Sequence, residues 1–378
     1  MKKLISVYIH IPFCAAKCKY CDFNSYDDIG HLQEEYVECL LQELDMYKDV
    51  LQQHLVKTVY IGGGTPTYLT DKLLARLLCG VRERMNIDDN AEVSIESNPG
   101  TLTKSKLTLL YQSGVNRLSI GVQSLDDDIL NCLGRIHTTK QFIDNYSLAR
   151  KVGFDNINVD LMFSLPGQTL EKWQETIKAV VALAPTHLSC YSLKIEENTP
   201  FYRAYEEQRL VLPDDKTDRQ MYEILKLMLA QEGYHHYEIS NFAKPTFACH
   251  HNLVYWQCQP YIGIGAGAHS FVHNQRYVNE MLPRRYIQKT KQNTRSTVEQ
   301  KQISYHEQMS DFIILGLRLI QGVAYQEFYR KFNLTVGEVF PGKVDRYIKM
   351  GLMEKDETHF WLTTRGIDIS NQIFIDFL

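Results

Sequence analysis

The sequence predicts an α/β fold followed by a small helical unit, and three observations carry this prediction. Over the first 230 residues, short β-rich runs alternate with helical patterns; polar residues recur on one face of several runs; and from Ser304 onward helices precede a short hairpin. Alternating strands and helices are the order expected of a parallel sheet covered by helices. With 378 residues, 44% of them apolar and 23% charged, the chain is long enough for two or three folding units and too apolar for long disorder.

Six short β-rich runs predict the strands. They are Val7–Ile11, Thr58–Ile61, Glu92–Glu96, Arg117–Gln123, Ile157–Phe163 and His187–Leu193. Between them, apolar residues recur at intervals of three and four, which predicts amphipathic helices. The helical stripes are Leu32–Leu51, Leu73–Met85, Leu107–Tyr111, Phe142–Val152, Trp173–Leu183 and Met221–Leu229. Six βα units fit either an open doubly wound sheet or a barrel.

Polar residues on one face of the strands favour the barrel. In four of the runs, aliphatic residues of one parity alternate with polar residues of the other, whereas a fully packed parallel sheet is apolar on both faces. The polar members are Tyr8, His10, Ser94, Glu96, Ser119, Gln123, Asn158 and Asp160. They are consistent with a barrel lumen that holds a polar ligand at its carboxyl-terminal rim. The remaining alternative is a set of core residues that hydrogen-bond to one another.

Changes in composition divide the chain into three predicted regions. Residues 1–234 carry the barrel pattern. Residues 235–300 lose the βα rhythm and become rich in Tyr, His, Asn and Gly, so we expect a connecting region there. Residues 301–378 predict a helical domain, with apolar stripes at Met309–Leu319 and Val344–Met350.

The last region resembles a winged helix. After its helices, Leu352–Lys355 and Phe360–Leu362 predict a hairpin. Winged helices often bind DNA, but residues 301–378 hold nine Lys and Arg against ten Asp and Glu, a balance without the basic footprint that nucleic-acid phosphates require. We therefore expect a structural or docking module and no nucleic-acid partner.

Charge and hydropathy predict a soluble cytoplasmic protein. The net charge of −4 gives no attraction to nucleic acid or to an anionic membrane surface, and no apolar run approaches the roughly 18 residues that span a bilayer. No apolar targeting stretch follows the two N-terminal lysines, so we expect membrane contact only through a partner. Nine cysteines, an odd number, argue against a disulfide framework.

Three cysteines crowd into eight residues just after the first predicted strand, as Cys14-Ala-Ala-Lys-Cys18-Lys-Tyr-Cys21. Three thiolates at this spacing can ligate one compact metal centre. A zinc site normally takes four protein ligands, and no obvious fourth lies close in sequence. A [4Fe–4S] cluster held by three thiolates leaves one iron open, and an open coordination position is where a substrate can bind.

With this motif the sequence resembles the radical S-adenosylmethionine (SAM) superfamily, whose signature is CxxxCxxC. The resemblance implies a partial (β/α)6 TIM-like barrel in which SAM chelates the open iron through its amino and carboxylate groups. Neighbouring motifs indicate the group related to oxygen-independent coproporphyrinogen III oxidase. They are Tyr8-Ile-His10-Ile-Pro-Phe-Cys14 before the cluster and Ile61-Gly62-Gly63-Gly64-Thr65-Pro66 after the second strand.

The resemblance also implies which residues bind SAM beside the three cluster cysteines. Glu96 and Arg135 would pair with the charged ends of SAM, and Asp160 with its ribose hydroxyls. Glycines after the second strand would let the backbone approach the methionine part. The full implied set is Tyr8, Tyr20, Gly63, Gly64, Thr65, Glu96, Gln123, Arg135 and Asp160.

A second motif, Cys249-His250-His251-Asn252-Leu-Val-Tyr255-Trp256, lies in the predicted connecting region. By itself it offers an exposed-looking imidazole beside amphipathic aromatic residues, suited to a flat apolar ligand or a metal. A structural histidine remains open, as does a zinc site from Cys249, His250, His251 and Cys258. Within the resemblance, HNxxYW is typical of the HemW branch and implies that haem binds through His251.

Two functions compete on this scaffold. The HemW branch implies a haem chaperone that delivers haem to acceptor haemoproteins. The alternative is coproporphyrinogen III oxidase, which decarboxylates coproporphyrinogen III to protoporphyrinogen IX. Those enzymes have CxxxCxxCxC, whereas Phe23 stands here at the fourth cysteine, and they carry an extension ahead of the position of Tyr8. We therefore expect the chaperone, with SAM still bound and slow reductive SAM cleavage retained.

The resemblance further implies a low-potential electron donor such as flavodoxin or ferredoxin. A homodimer is compatible with the family, although no heptad or apolar face in the sequence predicts one. No catalytic residue is assigned.

Overall fold

Six parallel strands form the centre of the molecule, and a computed structural model describes the chain from residue 3 to residue 378. The strands are β1 (Lys3–Ile11), β2 (His54–Gly63), β3 (Ile87–Ser97), β4 (Arg117–Gln123), β5 (Asn156–Phe163) and β6 (His187–Ser192). Each pairs with the next in parallel, and each contains a predicted strand run to within one residue. An open doubly wound sheet reverses its strand order part-way. The uninterrupted order therefore confirms the partial barrel.

Nine helices lie between these strands and after β6 within residues 3–231. They are α1 (Gln33–Met46), α2 (Lys48–Gln53), α3 (Asp71–Arg84), α4 (Lys104–Gln112), α5 (Asp127–Leu133), α6 (Thr139–Val152), α7 (Leu170–Ala182), α8 (Pro200–Glu206) and α9 (Asp215–Gln231). The first predicted stripe is divided at Tyr47 into α1 and α2. The short α5 and α8 were not predicted, although Asp126 and Thr199 cap them by accepting backbone N–H bonds.

Residues 235–300, predicted as a connecting region, extend the sheet at both edges. They form β7 (His235–Glu238), β8 (Asn241–Ala243), α10 (His250–Trp256), β9 (Tyr261–Ile264), β10 (His269–Val272), β11 (Gln275–Asn279), α11 (Pro283–Lys291) and β12 (Thr297–Gln302). Strand β9 pairs in parallel with β1, and β8 pairs antiparallel with β6. The described residues thus form one twelve-stranded sheet whose two ends do not pair with each other.

The last part of the chain has its own core. Its elements are α12 (Tyr305–Gly316), β13 (Val323–Ala324), α13 (Tyr325–Phe332), α14 (Val336–Val339), α15 (Lys343–Lys349), β14 (Met353–Lys355), β15 (His359–Leu362), α16 (Thr364–Asp368) and α17 (Ser370–Asp376). Phe328, Phe340 and Phe360 are buried in this core, apart from the core under the barrel helices. The antiparallel pair β14–β15 confirms the predicted hairpin.

Aliphatic side chains of the strands pack outward against the helices. Val7, Ile9 and Ile11 on β1 are buried, as are Leu118 and Ile120 on β4. Burial of such side chains contributes roughly 1.5–3 kcal/mol each. The opposite parity therefore faces the lumen, as predicted. No helix among residues 3–378 is both long enough and apolar enough to span a bilayer.

A buried carboxylate joins α1 to the segment after β9. Glu43 Oε2 accepts hydrogen bonds from Gly265 N at 2.8 Å and Tyr286 Oη at 2.6 Å, and Oε1 accepts one from Asn279 Nδ2 at 2.7 Å. Burial outweighs these three donors and raises the pKa of Glu43 to about 7. Gly265 has φ of 105°, and a Cβ there would lie 2.7 Å from the carbonyl oxygen of His10, so this turn requires glycine.

We expect Glu43→Gln to flatten the pH dependence of stability. Between pH 4.5 and about 7 the folded protein keeps a proton on Glu43 that the unfolded chain has released, so stability falls as the pH rises through this window. At about 1.36 kcal/mol per pKa unit, the loss is about 3 kcal/mol. Urea unfolding of both proteins at pH 5 and pH 8 measures it; the stability advantage of the wild type should shrink at pH 8. The exposed Glu34→Gln serves as control, and parallel pH curves for wild type and Glu43→Gln would refute the assignment.

Candidate functional site

Two loops meet at the carboxyl-terminal end of the barrel, which we call the rim. The cysteine loop, residues 14–21, follows β1, and the glycine loop, residues 62–66, ends β2. Backbone bonds join them directly: Gly64 N donates to Ile11 O at 2.8 Å, and Thr65 N donates to Phe13 O at 2.8 Å. The two family motifs are therefore parts of one surface.

The three cysteines of the loop each face a different polar neighbour. Thr65 Oγ1 donates to Cys14 Sγ at 3.8 Å, Arg135 Nη1 donates to Cys18 Sγ at 3.4 Å, and Cys21 Sγ lies 3.9 Å from Ser25 Oγ. All three are half-buried free thiols. Burial raises the pKa of the Cys14 and Cys21 thiols, so these two need a metal or another positive centre to ionise near neutral pH.

This donor set fits an iron–sulfur cluster better than a single ion. A zinc ion needs its ligands within about 2.3 Å of one point, and residues 3–378 contain no group of three or more His, Cys, Asp or Glu side chains arranged in that way. Iron–sulfur clusters are held by Cys thiolates, and thiols are the side chains that this loop supplies three times. A Cβ on Gly64 would lie 3.0 Å from Cys14 Sγ, so the glycine keeps space beside that sulfur.

Several polar side chains converge on Gly121 beside the cysteine loop. Arg135 Nη2 donates to Asn98 Oδ1 and to Gly121 O, both at 2.5 Å. A Cβ on Gly121 would meet Asn98 Oδ1 at 2.9 Å and Gln123 Nε2 at 3.2 Å. A cavity opens here, lined among others by Cys18, Asn98 and Arg135. The predicted Arg135 and Gln123 therefore adjoin the cysteine loop, and Asn98, which the sequence analysis did not single out, lies with them.

Glu96 braces the glycine loop from inside the lumen. Its Oε2 accepts from Gly63 N at 2.9 Å and its Oε1 from Tyr60 Oη at 2.8 Å. Burial raises the pKa of Glu96 to about 7, so the carboxyl is poised between its two protonation states near neutral pH. A cationic ligand group beside it would favour the ionised form.

Two other predicted contacts are Tyr8 and Tyr20. Tyr8 is in register with Tyr60, below the end of β1, and its ring lies 6.4 Å from that of His251, centroid to centroid. Tyr8 Oη donates to His10 Nδ1 at 2.9 Å, and His10 Nε2 donates to Asn24 O at 2.8 Å, which ties β1 to the end of the cysteine loop. The Tyr20 ring lies 6.4 Å from that of Phe201, centroid to centroid, and burial raises the pKa of its hydroxyl.

Asp160 is in register with Gly121 of β4, and its partners come from its own and a neighbouring strand. Its carboxylate accepts from Ser119 Oγ at 3.2 Å and Asn158 Nδ2 at 2.7 Å. Burial raises the pKa of Asp160 despite these bonds. Asn158 also bonds to His187 Nδ1, so in this layer the polar lumen residues satisfy one another. Both interpretations of the polar strand face thus hold. Polar residues surround the opening at the rim, and below it they hydrogen-bond to one another.

His251 lies at the opposite, amino-terminal end of the barrel, which we call the floor. Its Nδ1 is hydrogen-bonded to Thr58 Oγ1 at 2.7 Å; Thr58 lies five residues before the end of β2, about 16 Å along the strand. Its Nε2 is hydrogen-bonded to Tyr255 Oη at 2.9 Å, and its ring stacks on Tyr60 at 5.1 Å. His251 is 1% exposed. The expected exposed imidazole is therefore buried, with both nitrogens engaged.

Two charged residues that sequence reasoning missed surround His251. Glu92 accepts from the backbone N–H groups of His250 and His251, both at 3.0 Å. Burial and the nearby Arg117 guanidinium lower the pKa of His251 to about 3, so the ring is neutral. Glu92 and Arg117 are the first residues of two predicted strand runs. Their position on the lumen-facing side of those strands was the sequence feature that could have identified them.

The zinc alternative for this motif has no support in the described part of the chain. Cys249 Sγ donates to Glu92 Oε1 at 3.6 Å, whereas Cys258 follows the far end of α10. These side chains form no metal-binding group within residues 3–378.

Comparison with known proteins assigns the family. A model of the radical SAM superfamily matches residues 8–180, and one of the HemN C-terminal domain matches residues 303–369. The chain is 38% identical to "Heme chaperone HemW" of Bacillus subtilis over 374 residues, covering 99% of each chain. It is 36% identical to that of Escherichia coli, covering 99% of this chain and 98% of the relative. This chain belongs to the HemW family of haem chaperones, within the radical SAM superfamily.

A solved structure supports the fold over the whole HemW-type chain. Coproporphyrinogen III oxidase, HemN, from Escherichia coli, described as a radical SAM enzyme, matches with a TM-score of 0.86 and 25% identity, covering 100% of this chain and 90% of the other. The barrel and the carboxyl-terminal unit therefore occur together in both proteins.

Gly63→Ala should destabilise the protein more than Gly167→Ala. Both glycines have positive φ, 118° and 73°, so both substitutions introduce backbone strain of about 1–3 kcal/mol. A Cβ at Gly63 would also lie 2.6 Å from His10 Cε1, whereas within residues 3–378 no atom lies within 4 Å of a Cβ at Gly167. Overpacking adds about 1–3 kcal/mol. Urea unfolding measures the difference in the free energy of unfolding. Equal losses of stability in the two variants would show that His10 moves aside without an energetic penalty.

Proposed function

We propose that this protein is a haem chaperone, which binds haem and transfers it to acceptor haemoproteins on a radical SAM scaffold. The observation that carries the proposal is 38% identity to a HemW haem chaperone over 99% of both chains. A feature of the chain itself supports it. Phe23 is 65% exposed beside the cysteine loop, at the position where the oxidase pattern has its fourth cysteine.

The cysteine loop is proposed to hold a [4Fe–4S] cluster through Cys14, Cys18 and Cys21. Three free thiols, space at Gly64 and a guanidinium hydrogen-bonded to Cys18 support this assignment. The Arg135 cation offsets part of the negative charge that three thiolates place on the site. When bound, the cluster supplies an electron-transfer centre with one open coordination position.

The rim is proposed to bind SAM next to the cluster. Backbone groups of Gly63, Gly64 and Thr65 line the approach, and Glu96 gives a carboxyl that a cationic amino group would favour in its ionised form. Arg135 and Gln123 offer donors to a carboxylate. The remaining proposed contacts are Tyr8, Tyr20 and Asp160.

Haem binding is assigned to the HNxxYW segment, with His251 as the proposed ligand. In the present conformation His251 does not fit that role, because neither ring nitrogen is free. The structure therefore supports haem binding by this segment only if the segment can change conformation.

The proposal includes a cytoplasmic location and two kinds of partner. All nine cysteines lie in the described residues and are free, as expected in a reducing compartment. A low-potential donor such as flavodoxin or ferredoxin would reduce the cluster. A homodimer is compatible with the family.

The second candidate function is that of coproporphyrinogen III oxidase. The fold match to that enzyme over 100% of this chain favours it, and so does the arrangement of polar groups beside the cysteine loop. It predicts protoporphyrinogen from coproporphyrinogen, SAM and a reductant.

Replacing any one of the three loop cysteines by alanine should abolish the cluster. Two thiolates cannot hold the cuboidal centre stably, so iron content and the broad visible absorbance of anaerobically reconstituted protein should fall to background. Cys79→Ala removes an exposed cysteine on α3 and should leave about four irons per chain. Loss of iron in Cys79→Ala as well, or its retention in Cys18→Ala, would contradict the ligand assignment.

Haem-loaded protein should transfer haem to an apo-haemoprotein faster than buffer or haem-loaded albumin does. The appearance of the acceptor's Soret band measures the transfer, with a haem scavenger present to exclude passage through solution. In parallel, coproporphyrinogen, SAM and dithionite are incubated with the protein. Protoporphyrinogen formed at enzymatic rates without haem transfer would favour the oxidase over the chaperone.

A further inference from the structure

Helix α10 closes the floor of the barrel and holds the proposed haem ligand inside it. An axial haem ligand needs one free imidazole nitrogen and room for a porphyrin plane beside it. His251 offers neither, because Thr58 and Tyr255 occupy its two nitrogens. The neighbouring His250 is exposed, so the chain turns one imidazole inward and one outward at the start of the same helix.

The inner side of α10 is fastened to the strands. Glu92 accepts the first two backbone N–H groups of the helix. Tyr237 Oη accepts from Cys249 N at 3.2 Å and is also bonded to His187 Nε2. The inner contacts are thus hydrogen bonds to residues that are themselves fixed in the lumen.

The outer side of α10 is held by the carboxyl-terminal unit. The Arg318 guanidinium lies 4.4 Å from the centroid of the Trp256 ring, Lys331 Nζ donates to Cys258 O at 3.4 Å, and α10 packs against α12. The second unit of the fold therefore keeps the helix on the floor.

Both sides of this contact contain polar atoms without partners. Within residues 3–378, Trp256 Nε1 and Arg318 Nε on the outer side are buried and unbonded, as are Arg117 Nε and Ser94 Oγ in the lumen; Ser94 and Arg117 are paired in register. Undocking would let water reach Trp256 Nε1 and Arg318 Nε, which lowers the cost of opening this contact. The docked state is consequently held less firmly than a fully bonded core would be.

We propose that α10 is a latch: it undocks from the barrel floor to present His251 to haem, and the Arg318–Trp256 contact with the carboxyl-terminal unit controls the undocked fraction. This inference rests on the proposed haem function and adds its regulation. A partner that moves the carboxyl-terminal unit would change haem affinity through this contact, without touching the ligand.

The test uses Arg318→Ala in the full-length protein. Loss of the cation–π contact should raise the undocked fraction about fivefold. Hydrogen–deuterium exchange of residues 249–258 in haem-free protein should then speed up by that factor. Because a ligand that selects a minor state binds in proportion to its population, the rate of haem association, followed at the Soret band, should rise by the same factor with an unchanged final spectrum.

The matched control is Arg346→Ala. Arg346 lies over the Tyr347 ring at 4.8 Å in the same unit, on α15, and its removal should alter neither measurement. Should Arg318→Ala fail to fold, Thr58→Val loosens the latch from the inner side and should act in the same direction. His251→Ala should remove the wild-type Soret band.

The outcomes separate the latch from the function. Faster exchange in Arg318→Ala with an unchanged haem association rate would overturn the latch, as would a wild-type Soret band in His251→Ala, which would place the ligand elsewhere, for example at His250. A wild-type protein that binds no haem at all would instead overturn the proposed function, whatever the exchange shows.

Discussion

Polar side chains inside a barrel have no water to bond to and must satisfy one another. The strand parity of this chain directs its aliphatic residues outward to the helices and its polar residues inward, so the lumen carries Glu92, Glu96, Arg117 and Asp160 within the sheet itself. The positions of Gly63 at the rim and of His251 at the floor depend on how these side chains pair. At the rim, pairing leaves a cavity beside Cys18. At the floor, pairing is completed by α10, whose backbone donates to Glu92.

The barrel strands were predictable because their pattern is local. Four of the six predicted runs had aliphatic residues at alternating positions, and parallel pairing in chain order followed from the βα rhythm. The edge strands were not predictable in this way. Strands such as β8 (Asn241–Ala243) and β9 (Tyr261–Ile264) have three and four residues, too few for a period to show, and they exist because β6 and β1 offer free edges to pair with.

The spacing of residues along the sequence predicts more about the cysteine loop than about the HNxxYW motif. Three cysteines within eight residues must lie near one another whatever the fold, so their proximity could be predicted. The exposure of His251 could not be predicted from spacing. The way in which the seven-residue helix α10 docks places His251 against Thr58 and the preceding His250 outward. The parity of Glu92 and Arg117 hinted at a charged floor, but nothing in the pattern showed which segment would cover it.

Tyr60 contacts residues at both ends of the lumen. Its hydroxyl donates to Glu96, which in turn holds Gly63 of the glycine loop, and its ring stacks on His251. A change at the rim that withdraws Glu96 from this bond removes a restraint on the ring beneath His251, and undocking of α10 exposes one face of the same ring. Spatial continuity alone does not establish energetic coupling. Tyr60 nevertheless contacts both ends, so a change in its position alters a hydrogen bond at the rim and a ring contact at the floor.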